Sequence, residues 1–203
     1  MDIIMAQDLA NSLGVRLKFI QTTWPTLIED LQKNKFDIGM SGISIKLDRQ
    51  RIGLFSIPLF EGGKIPICRD EDADKFVSLD SINQRSVRVI FNPGGTNETF
   101  ARTHFPNAIL IENEDNLTSF RRIVEREADV MITDAIEAEI QEKIHPELEA
   151  VNPNEPFSFF EMAYLMPRDF VWKAYVDQWL HLRKKQGKID TILQKEIEKL
   201  TTQ

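Results

Sequence analysis

The sequence predicts an α/β fold of two lobes, each a mainly parallel sheet flanked by helices, with a ligand cleft between the lobes. Helical and strand patterns alternate along all 203 residues, which favours parallel sheets covered by helices. Two extended stretches, Phe55–Arg69 and Phe157–Pro167, indicate two crossings between lobes. The crossings assign residues 1–67 and 164–203 to one lobe and residues 68–163 to the other. Folds of this kind bind ligands near strand ends.

The elements of the first lobe follow from local signals. An amphipathic helix over Ile4–Leu13 ends at Gly14, in the position that glycine favours after a helix. Val15–Ile20 alternates as a strand, and Pro25 stands where a second helix begins. Phe36–Met40 then predicts a short buried strand.

A weak internal sequence repeat, here called the internal echo, supports two lobes with the same arrangement of elements. Leu31–Met40 resembles Ile123–Ile132, because each contains a helix end, a charged turn, an aspartate and then a strand. A chance similarity would give the same pattern.

The second lobe carries the most informative loop. A β-branched run, Val87–Phe91, leads into Asn92–Glu98, and a helix is predicted over Thr96–Phe105. Glycines let a backbone approach a ligand, and the free amides of a first helical turn attract anions. The pattern therefore indicates an anion site, with an ordinary turn between strand and helix as the alternative.

The C-terminal region from Asp169 is predicted to be helical and broken at Gly187. Its aromatic residues are spaced along one helix face, which is typical of core packing. They are Trp172, Tyr175, Val176 and Trp179.

Composition excludes several classes of function. The net charge of −7 argues against nucleic-acid binding, and no apolar run approaches a membrane span of about 20 residues. Cys68 is the lone cysteine and the histidines are scattered, so we expect no internal disulfide and no metal site. The N-terminal residues lack the apolar stretch of a signal peptide, which predicts a cytoplasmic chain unless a signal has already been removed.

Several motifs together resemble the type II periplasmic solute-binding proteins of the polar amino-acid class. They are Ser41-Gly42-Ile43-Ser44, Arg49-Gln50-Arg51, Phe55-Ser56-Ile57-Pro58, the loop at Gly95-Thr96, and Ala128 to Asp134. Within this class the chain is similar to the cyclohexadienyl dehydratases, enzymes built on the same fold. That narrower likeness rests on Thr23-Trp24-Pro25, Asn92 to Glu98, Thr133 to Ala138, His145 to Leu148 and Tyr175 to His181.

The resemblance implies a lyase that converts prephenate to phenylpyruvate, or arogenate to phenylalanine, by dehydration with decarboxylation. Because hydroxide leaves poorly until it is protonated, one general acid is the minimum apparatus, and no cofactor is needed. The expected partner is a small carboxylate substrate, while the oligomeric state stays open. A non-catalytic amino-acid-binding protein of a transporter or sensor is the alternative.

Two residues receive catalytic roles from the resemblance. Glu137 is the expected general acid, since a desolvated carboxyl holds its proton near neutrality. Lys64 is expected to neutralise a ligand carboxylate. Without the resemblance, Glu137 would be a solvated or capping residue and Lys64 an exposed lysine.

The remaining expected site residues bind the substrate. Arg49 is expected to grip a carboxylate through paired donors, and Trp24 to lie against the ring. Asp134 corresponds to the aspartate that holds a ligand ammonium in amino-acid binders, although it could instead cap the following helix. The further binding residues are Ser41, Gly42, Ser44, Asn92, Gly95 and Thr96.

Relatives in this family usually begin with a strand and a loop that precede the first helix. The sequence begins at Met1, close to that helix, so we expect the first lobe to lack this strand. The resemblance also implies a periplasmic location.

Overall fold

The computed structural model describes residues 1–201, which divide into two compact units. The first unit holds Met1–Glu61 together with the chain from Phe160 onward, and the second holds Gly62–Phe159. The sequence placed these divisions after residues 67 and 163. Over the described chain, every helix is too short or too polar to span a membrane.

The helices and strands alternate along much of the chain. The helices are α1 Asp2–Leu13, α2 Leu27–Gln32, α3 Leu47–Gln50, α4 Leu79–Ile82, α5 Thr96–His104, α6 Ser119–Val124, α7 Ala135–Ile144, α8 Phe170–Lys185 and α9 Lys188–Thr201. The strands are β1 Gly39–Ser44, β2 Leu54–Phe55, β3 Phe60–Gly62, β4 Lys64–Arg69, β5 Arg88–Phe91, β6 Ile109–Glu112, β7 Val130–Asp134, β8 Leu148–Ala150 and β9 Phe160–Met166. Short 3₁₀ helices cover Asp70–Lys75 and Asn116–Thr118.

The sheet of the first unit is built around β9. This strand pairs antiparallel with β1 and with β2, and β3 also pairs with it. The prediction of a mainly parallel sheet is therefore wrong for the described strands of this unit. β9 joins β1 and β2 only after the chain has passed through the second unit, and antiparallel pairing needs no crossover helix between neighbours.

Two strand predictions in this unit are corrected. Val15–Ile20 forms no strand among the described residues, and Val15 and Phe19 are 56% and 63% exposed. Alternation alone does not make a strand, because a strand needs a neighbour for its backbone groups. The strand predicted over Phe36–Met40 begins only at Gly39, where β1 starts.

The second unit has one sheet in the order β6-β5-β7-β4-β8. β5 runs parallel to β6 and β7, whereas β4 runs antiparallel to β7 and β8, so this sheet is mixed. The parallel strands β5 and β7 end at the same edge, and Lys64 at the start of β4 lies opposite Asp134 at the end of β7. Three strand ends therefore meet at one edge of the sheet.

The internal echo corresponds to a shared backbone feature. Asn34 follows α2 with a φ of 52°, and Arg126 follows α6 with a φ of 62°. Their amides bond to Leu31 and Ile123, at 3.0 and 3.1 Å. Each unit therefore ends a short helix with a left-handed residue just before a strand of its sheet.

The C-terminal prediction is confirmed in its main points. α8 and α9 are separated at Gly187, whose φ is 65°. Val176 and Trp179 are buried in a cluster of the first unit and Trp172 packs against it, while Tyr175 remains 39% exposed.

Candidate active site

The expected site residues fall into two groups, one in each unit. The first unit carries Trp24, Ser41, Gly42, Ser44 and Arg49. The second carries Lys64, Asn92, Gly95, Thr96, Asp134 and Glu137.

Arg49 is a buried cation in the first unit. It lies on α3, is 8% exposed, and donates from Nη1 to the backbone oxygen of Ser44 at 3.1 Å. Burial lowers the pKa of the guanidinium, and the charge of Asp48 opposes that shift. Within the described residues no carboxylate pairs with Arg49. Because an unpaired buried charge is costly, this arginine suits an anionic ligand.

The strand before Arg49 is irregular. The pairing register of β1 with β9 shifts between Gly39 and Ile43, and Gly42 has a φ of 57°. Ser41 and Gly42 are exposed in this irregular stretch, while Ser44 is buried beyond it. Such a bulge re-aims a strand and exposes its backbone groups, as a ligand contact requires.

Trp24 lies in a turn that the buried carboxylate of Asp30 stabilises through hydrogen bonds. The hydroxyls of Thr22 and Thr26 donate to Asp30 Oδ2 at 2.7 and 3.1 Å. Lys35 forms an ion pair with Asp30 at 2.5 Å, and these bonds lower the pKa of Asp30 to about 2. Asp30 therefore anchors both sides of the turn that carries Trp24.

In the second unit Lys64 is the centre of a buried polar cluster. Its ammonium donates to Thr96 Oγ1 at 2.9 Å, to Asn97 Oδ1 and to Asp134 Oδ1. The side chain of Lys64 is only 4% exposed and that of Asp134 14% exposed. An ammonium has three donors, and the three acceptors occupy all of them.

Asn97 extends this cluster toward β7. Its Nδ2 donates to Asn92 Oδ1 at 3.1 Å and to Thr133 Oγ1 at 3.2 Å. Thr133 is fully buried and donates its hydroxyl to Glu137 Oε2. A continuous chain of hydrogen bonds therefore joins Lys64 to Glu137.

Glu137 lies in the first turn of α7, directly after β7. Burial raises the pKa of its carboxyl, the hydrogen bond from Thr133 opposes that shift, and the charge of Asp134 raises the pKa further. Lys64 and a hydrogen bond from Asn116 act in the lowering direction. The net effect favours the protonated acid, which is the form that a general acid must have.

Asn116 provides one more feature beside Glu137. Its Oδ1 is buried and has no hydrogen-bond partner among the described residues. A buried amide oxygen without a partner is unusual and can accept a hydrogen bond from a ligand or from a protonated carboxyl.

The loop before α5 has the form that the sequence predicts. β5 ends at Phe91, Gly94 has a φ of 78°, and α5 begins at Thr96 after Gly95. Glu98 accepts a hydrogen bond from the Gly94 amide at 2.7 Å. The glycine conformation and this bond fix the path of the loop.

Two residues of the cluster around Lys64 have donor groups that could bind a ligand. Thr96 and Asn92 both use their oxygens as acceptors within the cluster. Within the part of the chain that the structure describes, the hydroxyl hydrogen of Thr96 and the amide nitrogen of Asn92 are the groups that remain. Donors of this kind suit a carboxylate.

The fold and these residues define the class of protein. The chain belongs to the bacterial extracellular solute-binding proteins, family 3, whose family model matches residues 1–199. It is 51% identical over 186 residues to the cyclohexadienyl dehydratase of Pseudomonas aeruginosa, a match that covers 92% of this chain and 69% of that protein.

Two solved structures of reconstructed ancestral proteins are also similar. One is an ancestral cyclohexadienyl dehydratase, 47% identical, with a TM-score of 0.56 and coverage of 97% of this chain and 82% of that one. The other is an ancestral amino-acid-binding protein described as a precursor of cyclohexadienyl dehydratase. It is 32% identical, with a TM-score of 0.85 and coverage of 96% and 83%.

Sequence reasoning missed four residues of these clusters. Asn97 and Thr133 lie inside motifs that carried the resemblance, but spacing does not show which polar side chains meet. Asn116 lies in a 3₁₀ helix without a motif, and Asp30 looks like an ordinary helix residue. Only the fold brings each of them to its partner.

Proposed function

We propose that this protein is a cyclohexadienyl dehydratase, which converts prephenate to phenylpyruvate, arogenate to phenylalanine, or both. The observation that carries the proposal is the Glu137 carboxyl, whose pKa is raised by burial and which hydrogen bonds through Thr133 and Asn97 join to the buried ammonium of Lys64. The identity to the Pseudomonas aeruginosa enzyme supports the same function.

The reaction needs one proton at one oxygen. Glu137 gives its proton to the ring hydroxyl, the carbon–oxygen bond breaks, and water leaves. The bond between the ring and its carboxylate breaks in the same process, and its electron pair completes the aromatic ring as carbon dioxide leaves. Glu137 then regains a proton from water before the next turnover.

The carboxylates of the substrate need cations and hydrogen-bond donors to bind them. Arg49 provides a buried guanidinium, and Asn92 and Thr96 provide donors that their own cluster does not use. We assign Arg49, with Ser41, Gly42 and Ser44 beside it, to the side-chain carboxylate. Trp24 is assigned to the ring face, and Gly95 to the loop that presents Thr96.

Asp134 favours the enzyme over an amino-acid binder. A binder needs a free carboxylate for the ligand ammonium, whereas Asp134 is paired with Lys64. Breaking that pair would leave a buried ammonium without its counter-ion, which is costly. The cluster therefore suits a ligand without an amine at this position, and Lys64 acts by holding Asp134 and the neighbouring side chains.

The family also supports a location outside the cytoplasm. Its members are described as extracellular solute-binding proteins, and we assign this protein to the periplasm on that basis.

The decisive experiment is turnover of prephenate by the purified protein, followed as phenylpyruvate formation. We expect Glu137→Gln to lower kcat by more than about 10²-fold while ligand affinity stays within a few-fold, because only proton transfer is lost. Glu139→Gln, an exposed neighbour on the same helix, is the matched control and should keep full activity.

Two results would refute the proposal. The protein would be a binding protein if the folded wild type formed no phenylpyruvate and bound amino acids tightly in calorimetric titrations. Turnover that survives in Glu137→Gln would remove Glu137 from the role of acid.

A further inference from the structure

We propose that Asn97 is a positioning residue that fixes which oxygen of Glu137 carries the transferable proton, acting through the hydroxyl of Thr133. This inference rests on the proposed function, because it concerns the acid of that reaction. It comes from the hydrogen-bond directions that the buried cluster permits.

Lys64 determines how the Asn97 amide is turned. An ammonium only donates, so the Asn97 atom beside it must be the oxygen. Asn97 is 8% exposed, and its nitrogen is then directed to Asn92 Oδ1 and Thr133 Oγ1. The opposite orientation would place amide hydrogens against ammonium hydrogens.

The Asn97 amide in turn determines the direction of the Thr133 hydroxyl. Thr133 Oγ1 accepts a hydrogen bond from Asn97 Nδ2, a group that only donates. The single hydroxyl hydrogen therefore goes to its other partner, Glu137 Oε2. Thr133 is fully buried, so water does not compete for this hydrogen.

The consequence concerns the proton of the acid. Because Oε2 is held as an acceptor, the proton of Glu137 is placed on Oε1. Since the carbonyl oxygen of a carboxyl is its better acceptor, this arrangement lets Oε1 give its proton to a leaving group while the bond from Thr133 stays intact. The series of hydrogen bonds from Lys64 through Asn97 to Thr133 therefore selects the oxygen of Glu137 that carries the proton, and it also changes the pKa of this carboxyl.

Other charged and polar groups face the same carboxyl. Burial and, to a smaller extent, the charge of Asp134 favour the protonated form, while Thr133, Lys64 and Asn116 favour the ionised form. Removing the donation from Thr133 therefore raises the pKa of Glu137 and moves the alkaline limb of the pH profile to higher pH.

The first test compares Thr133→Val with Thr133→Ser. Valine keeps the shape and removes the hydroxyl, so we expect the alkaline limb of kcat to move up by about one pH unit, since a hydrogen bond to a charged group has that magnitude. We also expect kcat at its optimum to fall roughly tenfold with KM within threefold, because the acid is misdirected. Thr133→Ser retains the hydroxyl and should restore both properties.

The second test asks whether Asn97 acts through Thr133. Asn97→Ala should move the limb in the same direction, and it should add no further shift in the Thr133→Val background. Should Asn97→Ala not fold by circular dichroism, Asn97→Ser takes its place. Additive shifts would overturn the proposal, because Asn97 would then act by another route.

A readout without turnover separates this inference from the proposed function. The Glu137 carboxyl can be titrated by NMR in ligand-free protein with ¹³C-labelled glutamate, using Glu137→Gln to assign its signal. An upward shift in Thr133→Val supports the chain of hydrogen bonds even if prephenate is not converted. An unchanged titration in a protein that does convert prephenate would overturn the chain and leave the function standing.

Discussion

At the scale of single residues, Arg49 and Lys64 are two buried cations with different roles. Lys64 uses its three donors within the protein, whereas Arg49 donates to one backbone oxygen and pairs with no described carboxylate. A guanidinium has five donors, so Arg49 retains the capacity to bind a carboxylate through two of them. Arg49 is therefore the cation that we expect to bind substrate directly.

This difference predicts the effect of Arg49→Lys. Lysine keeps the charge but loses the paired donors, so KM for prephenate should rise roughly 10- to 100-fold with little change in kcat. Arg51→Lys is the matched control, since Arg51 is exposed two residues away, and its KM should stay within twofold. Steady-state kinetics measure both. Equal effects of the two substitutions would remove Arg49 from the binding site.

At the scale of elements, the turn that carries Trp24 depends on α2. Asp30 on that helix accepts hydrogen bonds from Thr22 and Thr26, on either side of the tryptophan. Asp30→Leu removes both acceptors, and we expect KM to rise roughly tenfold through misplacement of Trp24. Lys35→Met removes only the ion pair to Asp30 and should leave KM within twofold. Equal losses in both variants would show that the charge, and not the turn, matters.

The elements also show what the sequence could and could not predict. The loop Asn92–Glu98 and helix α5 were predicted closely, because glycine, capping and β-branched signals are local. The strand predicted over Val15–Ile20 was wrong, since strands depend on neighbours that alternation does not reveal. The antiparallel pairing of β9 was missed for the same reason: it joins segments far apart in the chain.

The candidate site likewise has residues that the sequence predicted and residues that only the structure reveals. The motif resemblance selects Glu137 and Lys64 and predicts that Lys64 neutralises a ligand carboxylate. In the structure its ammonium donates to Thr96, Asn97 and Asp134, so the role toward a ligand stays a prediction. The direction of the Lys64 side chain decides which groups its ammonium reaches, and the sequence does not reveal that direction. Asn97 and Thr133 could not be selected from sequence because their roles exist only once β5, β7 and α5 are packed together.

The Glu137 carboxyl should lower the stability of the folded protein at neutral pH. The pKa of Glu137 is raised in the folded protein, so the fold holds this proton more tightly than the unfolded chain does. Its effect on stability is therefore neutral below the unfolded pKa of about 4.5 and becomes unfavourable as pH rises toward the folded pKa.

Glu137→Gln should therefore be more stable than wild type at pH 7 and no more stable at pH 4. Glutamine has no proton to lose, and its amide oxygen can still accept the hydrogen bond from Thr133. Calorimetric melting at the two pH values measures the difference, with Glu139→Gln as the exposed control that should follow wild type. A melting temperature of Glu137→Gln below wild type at pH 7 would mean that the ionised carboxylate stabilises the fold, contrary to the raised pKa of this carboxyl.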